Sequence, residues 1–344
     1  MDQDVTNVSA PSAPQALLQM LGGAILTQAI HMAALLNLAD LVKDAPKSLH
    51  ELSEATGVPS RSLTRLLRPL VTVGIFTENE PGVYRQSELS SLLRSDIPYS
   101  MRDIALMYGD EWQWRPWEEF RYSLQTEKPA FEHLYGMSLW QYFHQQKPDS
   151  GRIFDAAMTN LTKQVNLAIA SAYDFSQFRR IADIGGGEGS LLRTILRKHP
   201  SPEGVLFDQP SVLERAHALF AEEGLTRRCT FVPGTFLEAI PVEADAYVIK
   251  HILKGWRDDE AIGILCNCRQ AMKPGSKLLV VEHLFSSTGM LFEKLVDLQL
   301  LLVTTGGERS EEEYRKLFQA AGFSMSVVPT STPNAILEGT LLVA

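Results

Sequence analysis

Residues 183–189 read Asp-Ile-Gly-Gly-Gly-Glu-Gly, with the apolar pair Ile181-Ala182 before them and the helical pattern Ser190-Leu191-Leu192 after them. A buried strand that ends in an acid, turns on glycines and opens a helix leaves bare backbone where a ligand can approach closely. The chemistry this suggests is the holding of a nucleotide-type molecule. The elements that must position it are a strand before residue 184 and a helix after residue 189.

Spacing narrows the ligand. The dinucleotide fingerprint needs glycine in the first, third and sixth places, but Gly185 and Gly187 are followed by Ser190 in the sixth. The run is instead acid-x-Gly-x-Gly-x-Gly, the pattern of S-adenosylmethionine sites. A second acid, Asp208, closes the next apolar run about 25 positions on, where an acid at a strand end takes ribose hydroxyls. Asp183, Gly185, Gly187 and Asp208 are therefore the first candidate cofactor residues, and the expected cofactor is S-adenosyl-L-methionine or its product S-adenosyl-L-homocysteine.

Composition sets the bounds. The 344 residues are 45% hydrophobic, enough for a large core and two domains. A net charge of −9 disfavours nonspecific attraction to nucleic acid or an anionic membrane and favours a small-molecule partner. Cys266 and Cys268 are separated by one residue in a predicted helix, so their side chains diverge and neither a disulfide nor a zinc site is favoured. With no basic leader followed by a cleavage site, a cytoplasmic protein is expected. Gln19, Gln28, His31, Asn37 and Asp40 interrupt the apolar stretch from Leu17 to Leu41, which argues for amphipathic helices and not a membrane span.

After a tail expected to be disordered over residues 1–14, Leu17–Leu38 reads as helical, with small residues suited to close helix approach. Ser48 and Glu51 form a capping box, Gly57 ends that helix and Ser60 is expected to cap a second. A hairpin over 74–77 and 83–86 completes a winged helix. Arg61, Arg65 and Arg68 share one helix face, yet three arginines in an acidic chain make a poor phosphate footprint. Dimerisation is the favoured role for residues 15–100, and a DNA-binding regulator is the distant alternative.

Residues 101–178 look helical and are rich in aromatics, including Trp112, Trp114, Trp117 and Trp140. Together they suggest an enclosed apolar, aromatic ligand between the domains. Trp112, Trp117, His133 and Met158 are the candidate substrate residues, with His144 as a further polar candidate. From residue 179 onward strands and helices alternate, which means a parallel doubly wound sheet. Strands are expected near 181, 205, 230–232, 244–249 and 277–282, and helices near 191–198, 213–223, 260–272 and 311–321. Runs at 323–328 and 335–343 predict an antiparallel hairpin at the sheet edge. The fold class is therefore α/β, a Rossmann-like domain over residues 179–344 behind an N-terminal helical, winged-helix domain.

With these motifs in place the sequence resembles the class I S-adenosylmethionine-dependent O-methyltransferases of the plant caffeate, hydroxyneurosporene and bacterial polyketide-tailoring type, over nearly the whole chain. The resemblance implies that Gly185 and Gly187 line the cofactor, that Asp208 binds its ribose, that Lys250 faces it from the fourth strand, and that the protein is a homodimer. It also implies an acid near the adenine after the third strand; here the run is Gly234-Thr235-Phe236, so Thr235 and Phe236 are the candidates, with one hydroxyl in place of a carboxylate. Where the family has His-Asp-Trp as its base motif this chain has Lys254-Gly255-Trp256, and the two flanking family acids match Glu282 and Glu308. His251 is expected to be structural.

Lys254, Glu282 and Glu308 are thus the candidate catalytic residues. The acids favour a protonated lysine acting as a hydrogen-bond donor and electrostatic clamp. That suits methyl transfer to an acceptor needing little deprotonation: a carboxylate, an acidic phenol or a nitrogen. The alternative is a cyclase, pericyclase, decarboxylase or hydroxylase that keeps the fold without transferring a methyl group. No metal is expected.

Overall fold

Ser48 Oγ accepts a hydrogen bond from the Glu51 N–H at 3.2 Å, and the Glu51 carboxylate accepts one from the Ser48 N–H at 2.8 Å, so the capping box forms as its spacing predicts. In the computed structural model, which describes residues 11–342, it opens the helix Leu49–Thr56, ended by Gly57 in the left-handed region. The following helix, Ser60–Thr72, has Pro59 in its N-cap position with no side-chain cap; Ser60 is its first residue and not its cap. Strands β1 (Lys47–Ser48), β2 (Phe76–Glu80) and β3 (Val83–Gln86) complete the winged helix as a sheet of order β1-β3-β2. Leu52, Leu63, Leu67, Leu70, Phe76 and Tyr84 form its buried core.

The helix expected over Leu17–Leu38 is two helices, Ala13–Leu21 and Gly23–Leu35, because Gly22 interrupts the run and Asn37 takes a left-handed conformation. Ala13 and Pro14, expected in the tail, are helical; residues 1–10 of that tail lie outside the described residues. Leu17, Leu18, Met20, Leu21 and Ile25 are exposed on these helices. Among the described residues no single helix is long and apolar enough to cross a membrane; only this pair, bent by 43°, passes by length and composition.

The chain divides into two compact units, 1–110 and 111–344. The helix Arg102–Gly109 belongs to the first unit because it packs on Gly23–Leu35: a Cβ on Gly109 would lie 2.0 Å from the His31 ring. The limit therefore falls beyond residue 100, and no unit boundary coincides with residue 178.

The second unit is built on β4 (Arg180–Ile184), β5 (Glu203–Asp208), β6 (Cys229–Pro233), β7 (Ala246–Lys250), β8 (Lys277–His283), β9 (Phe323–Pro329) and β10 (Asn334–Leu341). Their order is β6-β5-β4-β7-β8-β10-β9. The pairs from β6 to β8 are parallel; β10 runs antiparallel to both β8 and β9. One face buries Ala182, Val205 and Val280 against Ala261, Leu265 and Phe318 of the helices Asp258–Ala271 and Glu311–Ala320. The other buries Ile181, Leu206 and Val248 against Ile169, Leu192 and Phe220 of the helices Pro148–Ala172, Ser190–Lys198 and Pro210–Glu222. A further helix, Leu291–Val303, has no counterpart in the sequence-based expectation. Leu291, Leu295, Leu298 and Leu302 recur at i, i+4, i+7 and i+11, a stripe that the strand-and-helix alternation leaves out.

Candidate active site

β4 lies between β5 and β7, so the chain order reverses beside it and a crevice opens at the strand ends. The glycine turn fills that place. Gly185, Gly187 and Gly189 all have left-handed backbones. At Gly185 a Cβ would also lie 2.9 Å from Ile252 and 3.0 Å from Phe236, so a side chain there would close the gap the turn leaves open. Asp208 at the end of β5 organises the turn: its carboxylate accepts from the Gly187 N–H at 2.8 Å and from the Gln209 N–H at 2.7 Å. A carboxylate has four lone-pair positions, so two remain for a ligand's hydroxyls.

Asp183 is 2% exposed and neither carboxylate oxygen has a hydrogen-bond partner. Burial, and to a lesser degree Asp208, push it up to about 6 against the opposing pull of Lys250. Lys250, at the end of β7, donates to Thr162 Oγ1 at 3.0 Å and to Asn166 Oδ1 at 2.9 Å, and burial lowers it to about 8 despite Asp183. Asn166 in turn donates to Ser190 Oγ at 2.9 Å, at the start of the helix after the glycine turn. Arg215 pairs with Asp155 and, at 3.4 Å, with Glu188 of the turn. The Pro148–Ala172 helix is thereby pinned over the cradle. Thr162, Asn166, Asp155 and Arg215 were not foreseen. The one signal for the first two was a polar pair at i, i+4, which shares a helix face.

On the far side, Phe236 lies against Gly185 and meets Trp256 edge-on at 5.9 Å. Its carbonyl accepts from Asn267 Nδ2 at 2.9 Å, and Thr235 Oγ1 accepts from the Leu237 N–H at 3.3 Å. The arrangement fits S-adenosylmethionine: lone pairs on Asp208 for a ribose diol, and an aromatic ring beside bare backbone for a flat base.

The second cluster stands after β7. Lys254, on a short turn over Leu253–Gly255, pairs with Glu308 Oε1 at 2.8 Å. Burial alone would raise Glu308, but His283 and Lys254 hold it below the usual carboxylate range. Asp297, from the Leu291–Val303 helix, fixes the same residue by accepting its N–H at 2.8 Å. Glu282 is fully buried with both oxygens unpartnered; burial raises it to about 7, and Lys254 opposes that.

Besides Asp297, three residues not marked in the sequence complete this cluster: His283, Glu293 and Arg309. His283 stands between two acids, its Nε2 3.2 Å from Glu293 Oε1 and its Nδ1 3.8 Å from Glu308 Oε2. Arg309 is 7% exposed and donates to the carbonyls of Leu253 at 2.8 Å and Trp256 at 2.6 Å and to Asp258 at 3.0 Å, clasping the turn that carries Lys254. Gly306 makes the docking possible, since a Cβ there would lie 2.3 Å from the Lys254 carbonyl oxygen. His251 hydrogen-bonds Asn334 at 2.7 Å, joining β7 to β10, and burial first, then Lys254 and Lys250, drop it to about 3, a neutral imidazole.

The four substrate candidates do not share one wall. Trp112 is buried edge-on to Phe143 and Phe154. Trp117 is 37% exposed against Phe120. Met158 lies on the long helix and its carbonyl accepts from Thr162, one turn on. His133 stacks on Tyr122 at 4.1 Å in a cleft of ≈ 330 Å³ whose lining includes Arg257 and Thr305, from the two segments that dock around Lys254.

Comparison with known proteins accords with this geometry. Residues 117–324 match the O-methyltransferase domain, and residues 18–96, which carry the winged helix, match the O-methyltransferase dimerisation domain. The phenazine O-methyltransferase PhzM of Lysobacter antibioticus is 42% identical over 324 residues, 94% of each chain. The mitomycin biosynthesis 6-O-methyltransferase of Streptomyces lavendulae is 37% identical, over 90% of this chain and 89% of that one. The structure of an O-methyltransferase from neocarzinostatin biosynthesis, solved with S-adenosylmethionine and 2-hydroxy-5-methyl naphthoic acid, superposes with a TM-score of 0.84 at 31% identity, covering 97% of this chain and 100% of that one. The cradle, the dimerisation domain and these likenesses agree: the chain belongs to the O-methyltransferase family, whose members transfer methyl groups from S-adenosylmethionine and form dimers.

Proposed function

We propose that the protein methylates an acidic oxygen, a carboxylate or an acidified phenol, on a planar aromatic natural product, with Lys254 as a hydrogen-bond donor and not a base. The observation that carries this reading is the Lys254–Glu308 pair at 2.8 Å. An ammonium has three donors and no acceptor; Glu308 takes one, and two remain for the acceptor oxygen. A group so paired holds an anion and removes no proton from it.

Asp183, Asp208, Lys250, Phe236 and the 185–187 backbone would hold S-adenosylmethionine, with Thr235 near its base. When bound, the cofactor supplies an electrophilic methyl group. The chain's own contribution is proximity and orientation: Lys254 places the acceptor oxygen, Arg309 fixes the turn that carries Lys254, and Glu282 sits beneath it. His133, Trp117, Trp112 and Met158 belong to the helical region that would surround the ring system. Relatives named for phenazine and mitomycin, and one solved with a hydroxynaphthoic acid, support a planar and in one case acidic acceptor. Free Cys229, Cys266 and Cys268 support a reducing, cytoplasmic setting.

The test is incubation with methyl-deuterated S-adenosylmethionine and a panel of aromatic acids, hydroxyquinones and unactivated phenols, read by mass spectrometry. Labelled products from the acids or hydroxyquinones support the reading. Preference for unactivated phenols would remove the assigned role of Lys254. Conversion at unchanged mass with the cofactor intact would mean a cyclase on this fold.

A further inference from the structure

We propose that His283 is a positioning residue for the reaction: its imidazolium bridges Glu308 and Glu293, and so sets the carboxylate that aims Lys254. This rests on the role given to Lys254 above. His283 is the last residue of β8, Glu293 lies in the first turn of the Leu291–Val303 helix, and Glu308 follows that helix in the chain. One imidazole therefore ties three segments together.

The distances set the logic. Nε2 is 3.2 Å from Glu293 Oε1, and Nδ1 is 3.8 Å from Glu308 Oε2, while the other oxygen of Glu308 holds Lys254. The first is within hydrogen-bonding reach; the second is an ion-pair separation. Only the imidazolium has a proton on both nitrogens, so only the charged form can serve both acids at once. A neutral ring keeps one and releases the other.

The surroundings favour charge. The charged groups that face the ring or its two acids are Glu308, Glu293, Lys254 on the far side of Glu308, the adjoining buried Glu282, and Asp297 at the Glu308 N–H. The Glu308 carboxylate first, with Glu293, raises His283 above its ordinary value. Side chains of His283, Glu293 and Glu308 are 14%, 16% and 3% exposed, so water screens the pairs weakly. The same bridge couples Lys254 to the Leu291–Val303 helix, which packs on the helices Phe120–Thr126 and Ala130–Tyr135 beside His133.

The sign follows. The bridge is complete while His283 is protonated and opens as pH rises through its raised pKa, so turnover should fall on the alkaline side. In His283→Gln, kcat should drop about 10- to 100-fold, the cost of a displaced catalytic group, with the KM for S-adenosylmethionine unchanged and the alkaline limb gone. An unaltered pH profile, or equal loss of cofactor affinity, would overturn the proposal. A second measurement needs neither activity nor a stable His283 variant. NMR titration of His283 in the wild-type dimer should give a pKa above about 6.5, falling in Glu308→Gln and again in Glu293→Gln. A value at or below the ordinary one, or one indifferent to both substitutions, would overturn it as well. If the NMR result holds while no methyl transfer is found, the fault lies with the proposed reaction and not with the bridge.

Discussion

The cofactor cradle and the Lys254 cluster sit at the ends of neighbouring strands but are made in different ways. The cradle is mostly backbone: a turn of glycines, two N–H donors to Asp208, and an unpartnered Asp183 beneath. The cluster is mostly side chains from three separated segments: Glu308 and Arg309 hold the short turn that carries Lys254, His283 backs Glu308, and Glu293 backs His283. A backbone cradle holds a constant ligand and tolerates little change. A side-chain cluster can exchange its central residue and keep its supports, which is how lysine can occupy a position where the family resemblance implies histidine.

That contrast can be broken by substitution. The largest effect is expected for Lys254→Ala, about 10²- to 10³-fold in kcat, the range for losing one donor to a developing or resident oxyanion, with cofactor affinity by calorimetry nearly unchanged. Equal loss of both would merge the two regions into one. Gly185→Ala should do the reverse. Its left-handed backbone and the approach of Ile252 and Phe236 predict strain of about 1–3 kcal/mol and a roughly 10- to 100-fold weaker cofactor, with kcat at saturation largely kept.

The two regions should also respond oppositely to pH. Asp183 is raised to about 6 and Lys250 lowered to about 8, so the cradle carries both charges only between them. Affinity for the cationic cofactor should tighten as pH rises through 6, by up to about tenfold per unit below it, and Asp183→Asn should abolish that slope. Stability of the free protein should run the other way. A carboxylic acid with a raised folded pKa stabilises the fold below its unfolded value near 4, and that contribution is lost as pH rises through 6. Thermal melts of the free protein and of Asp183→Asn between pH 4 and 7 would check this; a parallel pair of curves would remove the assigned desolvation. The smallest effect is expected at Thr235. Thr235→Asp should tighten the cofactor a few-fold, about 1 kcal/mol for one stronger acceptor, and no change would separate that side chain from the base.

Much of this was legible in order along the chain. The capping box of Ser48, the strand before Asp183, the acid at the end of β5 and the final hairpin are each written in a short segment, and the structure realises them there. Glu308 and Lys254 were marked by resemblance, and their pairing at 2.8 Å joins them. The Leu291–Val303 helix carries a leucine stripe at 291, 295, 298 and 302 that lies outside the predicted alternation, and it delivers Glu293 and Asp297. Thr162, Asn166, Asp155 and Arg215 looked like ordinary helix residues. The break at Gly22 is present as a Gly-Gly pair, but small residues suit close helix approach equally well.

By itself the sequence determined the α/β alternation, the glycine turn and the acids that end its strands, because periodicity, caps and left-handed glycines act over a few residues. Only the tertiary structure decided which distant charges face Lys254 and Lys250. Burial and the placement of opposite charges set pKa values and hydrogen-bond geometry, and both arise when segments as far apart as 162, 250, 283 and 308 are folded together.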